Sequence, residues 1–162
     1  MPSAEGVAVL ADDPAATERC GAWFGTRLLP GDTVGLVGDL GAGKTTFVRG
    51  LGQGLGLFDP EAVASPTYLL VVEHEGRVPL VHADAYLPGK LAGFLDDGGL
   101  EYLLERRAAV VVEWADRIRN MLPENTLWIH LESLPQGGRR LTAVAADATA
   151  FPWLVELPKI WV

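Results

Sequence analysis

The chain has 162 residues, 49% of them hydrophobic and 21% charged, with a formal net charge of −8; this suits one domain with a buried core and a field that repels nucleic acid. The one cysteine, Cys20, excludes an internal disulfide and a multi-cysteine zinc site; it suits a reducing compartment and is expected to be a small buried apolar residue. Met1 to Val9 lacks the basic start and long apolar stretch of a secretory signal, and no later run reaches membrane-spanning length, so a cytoplasmic chain without a membrane role is expected. No repeat, low-complexity tract or dividing linker interrupts residues 1–162, which read as a single domain.

Asp13 before Pro14 has the form of a helix cap with proline at the first helical position, opening a helix to about Leu28. Pro30-Gly31-Asp32 turns the chain into a mostly apolar strand, Thr33-Val34-Gly35-Leu36-Val37. Gly38-Asp39-Leu40-Gly41-Ala42-Gly43-Lys44-Thr45 then matches G-x-x-x-x-G-K-[ST] at every fixed position, and Lys44 to Leu55 reads as a helix. Strand, glycine loop and helix in that order make an anion nest, with inward backbone N–H groups backed by the helix dipole. Lys44 is then expected at the β- and γ-phosphates of a nucleoside triphosphate, and the Thr45 hydroxyl at a Mg²⁺ held between them. Gly50, Gly52 and Gly54 each cost the helix about 1 kcal/mol relative to alanine, so its end is either frayed or tightly packed.

Leu69 to Val72 and Val78 to Val81, around Glu75-Gly76, read as a hairpin. Asp96 to Gly99 reads as loop, Leu100 to Arg107 as a short helix and Ala108 to Val112 as a buried strand ending at Glu113-Trp114. Asn125 to Leu131 and Arg140 to Ala145 read as two strands around Gln136-Gly137-Gly138. Phe151, Trp153, Leu157, Ile160 and Trp161 are expected to pack on the domain. The alternation implies an α/β fold: a mixed, largely parallel sheet flanked by helices, carrying the phosphate loop.

A phosphate loop needs a carboxylate for the metal at the carboxyl end of a neighbouring strand. Glu113 follows an apolar run directly and is the first candidate for that metal role, because a carboxylate there is costly unless partnered. Asp84, at the end of Val78 to Asp84, is a second candidate, as a further ligand or to orient the attacking water. His82 lies on the same face as Asp84 and is read as a structural hydrogen-bonding group. In Ser65-Pro66-Thr67, a hydroxyl can sense the γ-phosphate; a simple turn fits equally well.

Taken in series, the loop Gly38 to Thr46, Ser65-Pro66-Thr67-Tyr68, His82-Ala83-Asp84-Ala85-Tyr86 and Glu113-Trp114 resemble the TsaE/YjeE family of bacterial ATPases, from about Asp13 to Ala145. The resemblance implies that Asp39, Leu40, Gly41, Ala42, Gly43, Lys44, Thr45 and Thr46 hold the phosphates of ATP, and that Thr45 and Glu113 hold Mg²⁺. It also implies that Asp84 serves hydrolysis or the metal, and that Thr67 belongs to a switch-like segment. The family supports threonylcarbamoyladenosine synthesis on tRNA together with the threonylcarbamoyl-transfer proteins as partners, which leaves contact with tRNA indirect. One departure stands out: the family usually has arginine after H-x-D-x-Y, and here the residue is Leu87. If that arginine offsets transition-state charge, hydrolysis by the isolated chain is expected to be weak or to use another cation, such as Arg139, Arg140 or one from a partner; if it is structural, little changes. The competing readings are a small-molecule kinase, with Arg106-Arg107 or Arg139-Arg140 as its basic lid, and a nucleotide-binding subunit without turnover. No Asn-Lys pair is present to read guanine.

Overall fold

The computed structural model describes residues 6–39, 41–66, 70–105 and 107–162, without the side chains of residues 88, 100 and 104. In chain order the elements are β1 (Val7–Ala11), α1 (Pro14–Arg27), β2 (Thr33–Val37), α2 (Lys44–Leu55), β3 (Val71–His74), β4 (Leu80–Asp84), α3 (Pro88–Phe94), α4 (Leu100–Glu105), β5 (Ala109–Glu113), β6 (Leu127–Ser133), β7 (Arg139–Ala145) and β8 (Ile160–Trp161). The strands form one sheet in the order β3-β4-β5-β2-β6-β7-β1-β8. Its centre, β4-β5-β2-β6, is parallel, while β3, β7 and β1 add antiparallel pairs and β8 pairs parallel with β1. The expected mixed, largely parallel sheet is the sheet observed.

The central strands are apolar nearly throughout because both faces are covered. Successive side chains alternate across the sheet. On β5, Ala109 and Val111 belong to the core beneath α1 and α2, whereas Val112 packs in the second core with Leu91, Leu95 and Ile118. On β4, Leu80 joins the first core and Val81 and Ala83 the second. The same parity puts His82, Asp84 and Glu113 on the face shared with α2.

Helix α1 begins as its sequence requires: Asp13 Oδ1 accepts the Ala16 N–H at 2.8 Å and Pro14 opens the first turn. Its buried stripe, Ala16, Thr17, Cys20, Gly21, Phe24 and Gly25, has helical spacing and meets α2. The glycines of α2 are the tightly packed alternative of the two the sequence allows. A Cβ built at Gly50 would come within 3.0 Å of the Glu18 carbonyl oxygen, and one at Gly54 within 3.0 Å of that of Ala22. From the other side, Cβ atoms at Gly21 and Gly25 would meet the Phe47 and Leu51 carbonyls equally closely. Small residues on both helices thus let the two backbones touch. The helical propensity lost at these glycines is offset by burial of Phe24, Phe47, Leu51 and Leu55, all at 0–1% exposure.

Three elements are not legible in the sequence: β1, α3 and β8. β1 buries only Val9 and Ala11, and β8 is two residues long, so neither has a hydrophobic period of its own. Asp96 to Gly99, expected as loop, lies in a wide helical turn over Leu95–Gly99 that breaks at Asp97 and at Gly98, whose φ is 95°. The helix expected over Leu100 to Arg107 is described as Leu100–Glu105, and Arg106 lies outside the described residues. Of the carboxyl-terminal apolar residues, Phe151 and Leu157 are buried and Trp153 stacks edge-on with Trp23 and Phe24. Ile160, expected to pack, is 67% exposed at the sheet's edge.

Gly50→Ala or Gly54→Ala is expected to destabilise the fold by about 3 kcal/mol or more through backbone overlap. Gly93→Ala, at a helical position with nothing within 4 Å of the added Cβ, is expected to stabilise it by about 0.5–1 kcal/mol. Urea denaturation of the three variants checks both signs. Cys20 is buried, and desolvation raises its pKa from 9.0 to about 12. Its thiol is therefore expected to react with a disulfide reagent only after unfolding. Because the folded-state value is the higher one, this group's contribution to stability is present below pH 9.0 and lost as pH rises toward 12, which denaturation across that range measures.

Candidate functional site

The site is built at the carboxyl ends of β2 and β5. β2 runs into the glycine loop, where Gly41 has φ 80° and Gly43 φ 98°; side chains at those angles are strained, which is why glycine stands there. Gly43 is also the N-cap of α2 and makes no side-chain cap bond, so the first N–H groups of the helix are left for a ligand. These groups open into a cleft of about 390 Å³. Gly41, Gly43, Lys44, Thr45 and Thr46 form its floor, Pro14 and Thr17 of α1 one wall, Ser65, Glu113 and Trp114 another, and Arg139 closes the rim.

Lys44 is 6% exposed and folds back on its own loop. Its Nζ donates to the Gly38 carbonyl and, at 2.9 Å, to that of Asp39. The ammonium also lies 4.1 Å from the centroid of the Trp114 ring. Desolvation lowers its pKa below the usual 10.5, opposed by the negative charges of Glu113, Asp39, Asp84 and Asp116. The site therefore holds a partly desolvated cation facing several carboxylates, an arrangement suited to a polyanion bound with a metal.

Glu113, at 3% exposure, carries a carboxylate out of an otherwise apolar strand. It is partnered: the His82 imidazole Nε2 lies 2.5 Å from its Oε2, and both side chains are buried. His82 thus has the structural hydrogen-bonding position expected of it. Its other ring nitrogen, Nδ1, is buried and has no hydrogen-bond partner among the described residues. Asp84 lies opposite Glu113 in the β4–β5 register and is 1% exposed. Its Oδ1 accepts the Tyr86 N–H at 2.7 Å, and it does not line the cleft, although its charge reaches Lys44. Leu40 and Thr67 lie outside the described residues.

The structure therefore gathers Gly41, Gly43, Lys44, Thr45, Thr46 and Glu113 around one cleft. Asp39 is exposed and Ala42 buried beside it. Of the alternative cations, Arg139 reaches the cleft, whereas Arg140 points away and pairs with Glu132 at 3.2 Å. Leu87 is 45% exposed.

Matching these features, the family profile described as "Threonylcarbamoyl adenosine biosynthesis protein TsaE" covers residues 11–141. The chain belongs to the TsaE family. It is 40% identical to the tRNA threonylcarbamoyladenosine biosynthesis protein TsaE of Treponema pallidum over 78% of this chain and 91% of that one. With the Bacillus subtilis TsaE it shares 38% identity over 72% of this chain and 71% of the relative. The crystal structure of Bacillus subtilis YdiB superposes with a TM-score of 0.75 at 27% identity, covering 96% of this chain and 95% of that one. The TsaE family is a nucleotide-binding P-loop family of tRNA threonylcarbamoyladenosine biosynthesis.

Two contributors to the cleft, Thr17 and Trp114, and Arg117 beside the Trp114 ring had no role assigned from sequence. Thr17 presents a buried hydroxyl that has no partner among the described residues. Trp114 takes a left-handed backbone, φ 57°, as it leaves β5, at a cost of roughly 1–2 kcal/mol for a residue with a side chain. Arg117, on the next turn, donates from Nη1 to the Tyr86 carbonyl at 2.6 Å and lies over the Tyr86 ring at 4.8 Å. Nothing local marked Thr17, which meets the loop only across the α1–α2 contact.

His82→Leu is expected to cost about 3 kcal/mol by stranding the Glu113 carboxylate in the core, and adding Glu113→Leu to recover part of that loss. A double-mutant cycle in urea gives the coupling.

Proposed function

We propose that the chain binds ATP with Mg²⁺ in this cleft and hydrolyses it slowly, supporting threonylcarbamoyladenosine modification of tRNA through protein partners. The observation that carries the reading is a buried Lys44 beside an uncapped helix N-terminus, facing a buried glutamate across one cleft. The donor set fits the nucleotide: backbone N–H groups of Gly41 to Thr46 and the Lys44 ammonium suit phosphate oxygens. The orphaned Thr17 hydroxyl is a further polar group on the wall.

The fit to Mg²⁺ rests on oxygen donors. Thr45 and Glu113 supply a hydroxyl and a carboxylate to the same cleft, and a hard cation prefers such ligands. Among the described residues no group of three or more His, Cys, Asp or Glu side chains could hold a metal ion; the rest of the shell would be phosphate and water. The His82 hydrogen bond would hold the Glu113 carboxylate in one orientation, a role that second-shell partners commonly play. When bound, the cation would neutralise phosphate charge. Lys44 would leave the Gly38 and Asp39 carbonyls to meet the phosphates, and Asp84 would act through its charge or by orienting water. Thr67 would complete a γ-phosphate-sensing segment.

The reading places the whole of residues 1–162 in one ATPase unit working in the cytoplasm. Among the described residues no helix is long and apolar enough to cross a membrane. A net charge of −8 favours work through the threonylcarbamoyl-transfer proteins over direct hold on tRNA.

Lys44→Ala is expected to reduce ATP affinity by roughly 100-fold and to abolish turnover, a loss of the size expected for a buried charged hydrogen-bond donor. Calorimetric titration checks the affinity, and unchanged binding would remove the reading. Glu113→Ala is expected to depress Mg²⁺-dependent phosphate release at least ten times more than metal-free nucleotide binding, as removal of a transition-state electrostatic group does. Equal loss of both would assign Glu113 to folding. Label transferred from ATP to an added metabolite instead of water would favour the kinase. Recovery of the threonylcarbamoyl-transfer proteins from lysate only with ATP tests the partners.

A further inference from the structure

Arg139 is the first residue of β7, and topology brings it to the loop. β6 is parallel to β2, so it ends on the side where β2 enters the phosphate loop, and β7 returns antiparallel from there with Arg139 opposite Ser133. Gly137 and Gly138, at φ 94° and 82°, make the turn. Alternation along β7 sends Arg140 to Glu132 at the surface and Arg139 to the cleft.

There the guanidinium does something specific. Its Nε donates to the Ala42 carbonyl at 3.0 Å and its Nη2 to the Gly41 carbonyl at 3.0 Å, while Nη1 donates to the carbonyl of Gly138 at 2.9 Å. Two consecutive loop carbonyls are therefore held by one rigid fork. A peptide group is planar, with its C=O and N–H pointing in opposite directions. Fixing the Ala42 carbonyl toward Arg139 fixes the Gly43 N–H away from it; fixing the Gly41 carbonyl does the same for the Ala42 N–H, which closes the turn onto the Asp39 carbonyl at 3.1 Å. Gly43, at φ 98°, has no side chain of its own to lock the Ala42–Gly43 peptide, and the Arg139 fork supplies that hold from outside the loop.

We infer that Arg139 is a positioning residue for phosphate binding: it clamps the Gly41 and Ala42 carbonyls and thereby pre-orients the Gly43 amide toward the phosphates. The inference rests on the nucleotide reading of the cleft. It also gives the cation at the rim a task that needs no direct contact with the reacting phosphate.

The test compares wild type, Arg139→Ala, Arg139→Lys and the surface control Arg140→Ala by ADP titration, thermal melting and the ¹H–¹⁵N resonance of Gly43. Arg139→Ala is expected to weaken ADP binding roughly tenfold and to shift the Gly43 amide before any nucleotide is added. Millimolar guanidinium should restore both, and its melting temperature should stay near that of the control. Arg139→Lys should rescue poorly, because an ammonium is not a fork. An ADP affinity within about twofold of wild type, or weaker binding with the unliganded Gly43 amide unmoved, would overturn the inference. Failure of wild type itself to bind ADP would remove the nucleotide reading, and the unliganded amide shift would still judge the clamp.

Discussion

The backbone contact between α1 and α2 is the constraint on which the rest of the structure depends. Gly21 and Gly25 of one helix and Gly50 and Gly54 of the other leave no room for a Cβ, so the axes approach until main chain meets main chain. That approach sets the position of the amino-terminal ends of both helices. One end carries Gly43 to Thr46 and the other Pro14 and Thr17, and together they make the floor and one wall of the cleft. The glycines weaken α2 as an isolated helix and stabilise it only in this pair, which couples formation of the cleft to tertiary packing.

Across the cleft the governing term is electrostatic. A lysine ammonium and a glutamate are both taken largely out of water, and each is compensated by local partners: loop carbonyls and an indole face for Lys44, an imidazole for Glu113. Isolated buried charges of this kind cost several kcal/mol. Their retention in an otherwise apolar α/β core makes sense where a charged ligand is to be received, and it matches membership of a nucleotide-binding family. Arg139 adds a different kind of control, holding the loop's carbonyls from a strand 97 residues away in sequence.

Much of this was legible before the structure. The first helix with its Asp13 cap, the strand-loop-helix unit, the hairpin and the apolar strand ending at Glu113 all have strong local signals: capping chemistry, glycine spacing, and hydrophobic runs bounded by turns. β1, α3 and β8 lacked such signals, since their stability comes from neighbours: β1 from β7 and β8, and β8 from β1 and from Trp161 packing on the first core. The expectation for the carboxyl-terminal tail held at Phe151 and Leu157 and failed at Ile160, because an edge strand covers only one side of its residues.

By itself the sequence determined the family, the loop and the parity that aligns His82, Asp84 and Glu113 on one face, because spacing along a strand or a glycine loop is a local property of covalent geometry. Only the tertiary structure decided which of those groups meet. It joined His82 to Glu113 and turned one oxygen of the Asp84 carboxylate to the Tyr86 N–H. It also brought Thr17 and Arg139 to the loop from distant segments. Such contacts depend on strand order, register and the depth of helix packing, which arise from the whole chain at once.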